Sequence, residues 1–190
     1  MISDKGKFIF IHIPKTGGSS VSYALRQYAN ETISIANSRV GRGKGVAVVD
    51  SKGKNVKHLN LYGILRSKLE YKHYFSFTIV RNPYDRTMSY FFWNNGNKPF
   101  DREKFVNFVK KCNDFQYRYV TEPKTGKLLV KKILKFENLN YEVKQLPIRL
   151  SGIPHLNSSH NSKGKFYDDE LRKMVYEKFK KDFELFGYEK

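Results

Sequence analysis

Apolar and polar positions along this chain fall into alternating or continuous runs that predict strands followed by helices. Residues 7–13, "KFIFIHI", form a short apolar run ending at Pro14 and predict a buried strand. Residues 19–29 follow as a helix with Val21, Ala24, Leu25 and Tyr28 on one face, and Ser19 or Ser20 stands where it can cap the start. Periodicity weakens over residues 31–57. There residues 46–49 predict a short strand ahead of an Asp-Ser-Lys-Gly turn, within a loop carrying a small hairpin. Leu61, Ile64, Leu65 and Leu69 share the spacing of one helical face and predict a helix over residues 59–69.

The second half repeats the order. Residues 74–80, "YFSFTIV", are β-branched and aromatic and predict a strand. Arg-Asn-Pro ends it, and a helix over residues 84–93 begins with Pro83 near its first turn. Residues 101–111 predict an amphipathic helix with Phe105, Phe108 and Val109 inward. "TEPKTGKLL" is a turn between extended pieces, residues 129–136 a strand, and residues 137–150 mostly helical until Pro147. "SGIPHLNSSHNSKGK" is a polar loop. Residues 168–181 form a last helix with Leu171, Val175 and Phe179 on one side, and "FELFGY" packs the end. No repeat and no long linker interrupts the series, so residues 1–190 are expected to form one domain.

Composition narrows the picture. Aromatics at 15% and apolar residues at 39% exclude a disordered chain and suit a packed α/β or α+β domain. Thirty-six Lys and Arg against 18 Asp and Glu give a net charge of +18, which expects anionic partners: nucleic acid, an acidic membrane, an acidic polysaccharide or a charged cofactor. The basic residues are spread along the chain, as on a solubilising surface, rather than gathered in a tail. Cys112 is the only cysteine, which rules out an internal disulfide and a cysteine-rich zinc site. The N-terminus lacks a signal-peptide pattern and no apolar run approaches ~20 residues, so a soluble, cytoplasmic protein without a membrane span is expected.

Candidate chemistry begins at "IPKTGGSS". A strand running into glycines and hydroxyls ahead of a helix is a place for an anion: Gly17 and Gly18 permit close backbone approach, Thr16, Ser19 and Ser20 carry hydroxyls, and Lys15 brings a charge. The same pattern also fits an ordinary glycine turn with Lys15 in solvent. A nucleoside-triphosphate loop would place its lysine after the last glycine, and no aspartate ends a strand where Mg²⁺ would be held. In "FTIVRNPYDRTMSYFF", Arg81 directly follows a strand and Ser89 lies eight residues on. Arg81 offers a planar fork for a phosphate, or pairs with Asp85. Ser89 meets the same phosphate only if the helix runs alongside it.

Together "IPKTGGSS" and "IVRNPYDRTMSYFF" resemble the 5′-phosphosulfate loop and the 3′-phosphate motif of sulfotransferases that use 3′-phosphoadenosine 5′-phosphosulfate (PAPS). The nearest group includes heparan sulfate 2-O-sulfotransferase and short carbohydrate sulfotransferases. "LKFENLN" and the stretch from "IPHLNSSH" to "FELFGY" also look like that group, whereas residues 32–56 do not match it. The resemblance implies a P-loop NTPase-like sulfotransferase fold, an α/β arrangement with a central, mainly parallel sheet flanked by helices. It implies transfer of a sulfuryl group from PAPS to an acceptor hydroxyl, adenosine 3′,5′-bisphosphate leaving, with no metal required. Lys15 and the amides of Thr16, Gly17, Gly18, Ser19 and Ser20 would hold the phosphosulfate, and Arg81 and Ser89 the 3′-phosphate. A late loop closes over the cofactor in related enzymes, which assigns Ser158, Ser159 and Lys163, with Asn157, to further contacts; a solvated loop is the plainer reading.

His58, 23 residues before Arg81, occupies the place of that group's catalytic histidine, and an imidazole suits a base at neutral pH. Without the resemblance it reads as a histidine flanking a helix. Glu137 is a second candidate base, and "KFENLN" equally suits a structural contact. His12 is expected in the core and His73 at the surface, with His155 and His160 flanking "LNSS". Trp93 is either core or acceptor-facing. The acceptor is expected to be a glycan, with an acidic one fitting the charge. Two other readings stand beside this one. A P-loop-like kinase would need Mg²⁺ and ATP, and a basic nucleic-acid-binding module would show steep salt dependence without turnover, although no nucleic-acid motif is present.

Overall fold

The computed structural model describes residues 1–37, 44–96, 98–150, 152–153 and 166–190. Its main sheet contains β1 (Ile2–Ser3), β2 (Phe8–Ile11), β5 (Phe75–Val80) and β6 (Lys132–Lys135) in that spatial order. β1 pairs antiparallel with β2 at the edge. β2, β5 and β6 are mutually parallel, with Ile11 opposite Thr78 and Val80 opposite Lys135. A separate antiparallel hairpin joins β3 (Thr32–Asn37) to β4 (Lys44–Val49).

Strand alternation assigns the two faces of the sheet. Phe8 and Phe10 join Phe77 and Ile79 on one face, where Val21 of α1 (Gly18–Ala24) and Leu25 just after it cover them. Ile9, Ile11 and Ile13 take the other face, beneath Leu61 and Ile64 of α2 (Leu61–Ser67) and Val120 of α5 (Tyr117–Val120). A parallel strand pair needs such cover on both sides, which is why these strands read as continuous apolar runs. A third cluster joins α3 (Pro83–Asn94), α4 (Arg102–Lys111) and α7 (Asp169–Phe186) through Met88, Phe91, Phe105, Val109, Val175 and Phe183.

Boundaries follow local chemistry. Asn82 caps α3, its side chain accepting from the Tyr84 amide, with Pro83 in the first turn. Asp101 caps α4 and Asp168 caps α7 in the same manner. The expected helix over residues 19–29 ends at Ala24 and continues as a 3₁₀ turn, Arg26–Tyr28. The helix expected to reach residue 69 stops at Ser67, before a further 3₁₀ turn, Leu69–His73. Residues 137–150 hold one short helix, α6 (Leu139–Glu142), between 3₁₀ turns. By contrast α7 continues to Phe186, because Phe183 and Phe186 are buried on its inner face. The hairpin also pairs differently: β4 pairs back onto β3, while the turn at Asp50 leads into a single bridge between Val49 and Asn55.

Candidate active site

Three parallel strands end on the same edge of the sheet, so the segments that follow them are brought together there. Residues 12–20 follow β2, Arg81 and Asn82 follow β5, and Phe136 and Glu137 follow β6. The first segment turns through two left-handed residues, Lys15 (φ 68) and Gly17 (φ 80). Gly17 needs this freedom, and a side chain there would also meet the Phe136 ring at 2.7 Å.

Three carbonyls of this loop are engaged from within. Thr16 is fully buried, and its hydroxyl donates to the Ile13 carbonyl at 2.9 Å. Arg86 Nε donates to the Pro14 carbonyl at 2.9 Å, and Arg81 Nη1 to the Lys15 carbonyl at 3.4 Å. The backbone N–H groups of Lys15, Thr16, Gly17, Gly18 and Ser19 meet no acceptor among the described residues. Acceptors turned away and donors left open make a loop that favours an anion.

Cations gather at this loop. The Lys15 ammonium stands 5.6 Å from the centre of the Trp93 ring. Loss of water, then repulsion from Arg81, Lys57 and Arg86, lowers its pKa to about 8. Lys57 Nζ donates to Ser19 Oγ at 3.1 Å, and burial lowers its pKa too. Arg81 lies 4.3 Å over the Phe136 ring, and its buried Nε has no hydrogen-bond partner. Burial weakens its hold on the proton, opposed by the more distant Asp85, Glu137 and Tyr188. Among the described residues neither Lys15, Lys57 nor Arg81 forms an ion pair, so the Arg81–Asp85 pair is not made. An unpaired, desolvated cation is costly to hold, and an arriving anion removes that cost.

Ser89 is half-buried on α3. Three residues before it Arg86 reaches Pro14, and four residues after it Trp93 faces Lys15. That spacing places Ser89 on the face of α3 that runs beside the loop. Arg86 itself is buried, and its guanidinium donates to the Asp114 carbonyl at 2.9 Å and to the Asp114 carboxylate at 2.7 Å.

His58 precedes α2 and is an exposed residue. Its Nδ1 lies 2.9 Å from the His12 carbonyl. A carbonyl only accepts, so Nδ1 carries the proton and Nε2 keeps its lone pair. Desolvation lowers the pKa of His58 below the usual imidazole value; the His12 carbonyl and Asp114 oppose this, and Lys57 and Arg86 add to it. His12 lies edge-on beneath it, with ring centres 4.8 Å apart, and burial holds it neutral. That ring fills the space a Cβ at Gly18 would need, at 2.5 Å. Gly18→Ala is therefore expected to destabilise the fold by about 1–3 kcal/mol, read as a lower denaturant midpoint at unchanged slope.

Glu137 is occupied structurally: its Oε1 accepts from the Asn82 amide at 2.7 Å and its Oε2 from the Tyr188 hydroxyl at 2.9 Å. Ser158, Ser159 and Lys163, with Asn157, His155 and His160, lie outside the described residues.

The sequence reading missed Lys57, Arg86 and Gln116. Arg86 is legible only as a second arginine in "VRNPYDR", and Lys57 only as the neighbour of His58. Gln116 has no local signal. Its fully buried amide grips the Arg81 backbone at both ends: Arg81 N donates to Oε1 and Nε2 to Arg81 O, each at 2.9 Å. Asp182 of α7 fixes Gln116 in turn, accepting from its backbone amide at 2.9 Å. Arg81→Ala is expected to weaken binding of adenosine 3′,5′-bisphosphate by about 10–100-fold, the worth of a charge-assisted contact. Gln116→Ala should cost several-fold. The check is affinity relative to adenosine 5′-monophosphate, which lacks the 3′-phosphate; an unchanged ratio would detach both residues from that group.

Among the described residues no three His, Cys, Asp or Glu side chains converge as they would around a metal ion, and no helix is long and apolar enough to cross a membrane. The model of the sulfotransferase family matches residues 1–113, more than half of the chain and the part that carries Lys15, His58, Arg81 and Ser89. No curated protein and no solved structure matches the chain. The parallel strands β2, β5 and β6, the amide-lined loop after the first of them and the family match agree: this chain belongs to the sulfotransferase family, with the P-loop-like fold and the sulfuryl-transfer chemistry that membership carries.

Proposed function

We propose that this chain, acting as one domain, moves a sulfuryl group from PAPS to a hydroxyl of a carbohydrate by in-line displacement, with His58 as base. The observation that carries the reading is the His58–His12 hydrogen bond, which leaves Nε2 unprotonated in a site otherwise full of cations. The residues fit the donor. Five open amides with Lys15 and Lys57 suit its phosphosulfate. Arg81, with its partnerless buried Nε, and Ser89 suit its 3′-phosphate. Ser158, Ser159 and Lys163 are proposed as further contacts on the sequence resemblance alone.

Each residue then has a task. His58 Nε2 takes the hydroxyl proton as the acceptor oxygen bonds to sulfur. Lys15 stabilises the phosphate oxygen that keeps the electron pair of the broken S–O bond. Lys57 and the loop amides hold charge on the sulfuryl oxygens. The protein's own cations answer all the developing negative charge in this scheme, so no metal is required.

Calorimetry with adenosine 3′,5′-bisphosphate in metal-free buffer tests the reading, with ATP and Mg²⁺ as comparison. Tight binding that needs the 3′-phosphate is expected. Preference for ATP with Mg²⁺ would instead favour the kinase reading.

A further inference from the structure

The groove between α3 and α4 is assigned no task by the catalytic scheme. It is an open groove of about 300 Å³, lined by Phe91, Phe108, Asn94, Asn107, Lys104 and Lys111, among others. Phe91 is almost wholly buried, a floor rather than a rim. Lys104 is held by Asp101 at 2.7 Å, whereas Lys111 has no carboxylate partner among the described residues.

A row of aromatic rings connects this groove to the reaction centre. Lys15 Nζ lies 5.6 Å from Trp93, the Trp93 ring 5.8 Å from Tyr90, and the Tyr90 ring 5.6 Å from Phe108. Trp93 is exposed and Tyr90 half-buried, so the row is open to a ligand along its outer side. An extended acceptor reacting beside Lys15 has a path over Trp93 into the groove.

We propose that the groove binds a second, acidic sugar unit of the acceptor, away from the unit that reacts. This rests on the sulfotransferase reading above and names its substrate class: an acidic oligosaccharide. The chemistry of the lining favours it. Aromatic rings pack against the C–H face of a sugar, and asparagine amides both donate to and accept from hydroxyls. Lys111 answers a carboxylate, and the net charge of +18 draws such a chain toward the protein.

The test titrates oligogalacturonate of four to six units into the whole chain, with and without adenosine 3′,5′-bisphosphate. Maltohexaose is the neutral comparison. Oligogalacturonate is expected to bind and maltohexaose to bind at least about tenfold more weakly. Lys111→Glu and Asn107→Ala should weaken oligogalacturonate binding, the former by about tenfold or more, and leave nucleotide affinity unchanged. Lys144→Glu makes the same charge change on an exposed 3₁₀ turn outside the groove and should have little effect.

Equal losses from Lys111→Glu and Lys144→Glu would overturn the proposal, since general charge would then explain binding. Equal affinity for the neutral oligosaccharide would also overturn it, as would tighter, Lys111-dependent binding of single-stranded RNA. The two readings fail separately. Nucleotide binding without oligogalacturonate binding removes the groove assignment alone. Lys111-dependent oligogalacturonate binding without nucleotide binding upholds the groove and removes PAPS.

Discussion

Lys15→Ala is expected to lower sulfuryl transfer by about two to three orders of magnitude, the usual cost of losing one charge-stabilising donor from an active site. The loop geometry is the reason. Lys15 sits at φ 68, its carbonyl is held by Arg81, and its ammonium lies 5.6 Å from the centre of the Trp93 ring. No other lysine or arginine is placed on this segment. The variant should nevertheless fold. Lys15 holds its proton less tightly folded than unfolded, with a pKa of about 8 against an ordinary 10.5. The sign follows: the folded state binds fewer protons between those values, so the charged lysine opposes folding below about pH 8. Removing it should leave the melting temperature equal or higher. Normal turnover by a well-folded Lys15→Ala protein would take the lysine out of the mechanism. A collapsed melting temperature would instead make it structural.

His58→Ala is expected to reduce transfer by about 10²–10⁴-fold, the range for loss of a general base, while adenosine 3′,5′-bisphosphate binds as before. This separation distinguishes His58 from Arg81, whose loss should act on nucleotide affinity. The pH profile offers a second check. In the proposed scheme, transfer needs His58 neutral and Lys15 charged. Desolvation holds the imidazole below its usual range, so kcat/KM should already be near its plateau at pH 7 and fall only in more acid solution. Its basic limb should lie near pH 8, where Lys15 of the free enzyme loses its proton. In His58→Ala the acid limb should vanish and the basic limb persist. An unchanged acid limb would assign it to another group. Glu137 is a poor alternative, because Asn82 and Tyr188 occupy both its oxygens.

The lateral position of the candidate site groups was not legible in the chain. Lys15 and Arg81 stand 66 residues apart, and only the parallel register of β2 on β5 sets one loop beside the other. Gly17 and Gly18 read as openings for an anion. In the fold Gly17 also makes room for the Phe136 ring from the end of another strand, and Gly18 for the His12 ring folded back within the same loop, contacts that no local pattern announces. Helix ends depart from the apolar period for a related reason. α1 and α2 stop early and turn into 3₁₀ segments, while α7 runs on because Phe183 and Phe186 find buried neighbours.

By itself the sequence determined the strand–helix order, the two anion motifs and the excess of positive charge, whereas His58 stood out as a base only through the family resemblance. These are properties of neighbouring residues, and apolar period and turn chemistry express them locally. Tertiary structure alone decided which groups are charged, neutral or paired. Burial lowers the pKa of Lys15 and His58, the His12 carbonyl chooses the tautomer, and Gln116, itself held by Asp182 near the end of the chain, holds the Arg81 backbone. Desolvation and hydrogen-bond geometry depend on what surrounds a group in space, and the chain supplies those surroundings only once it has folded.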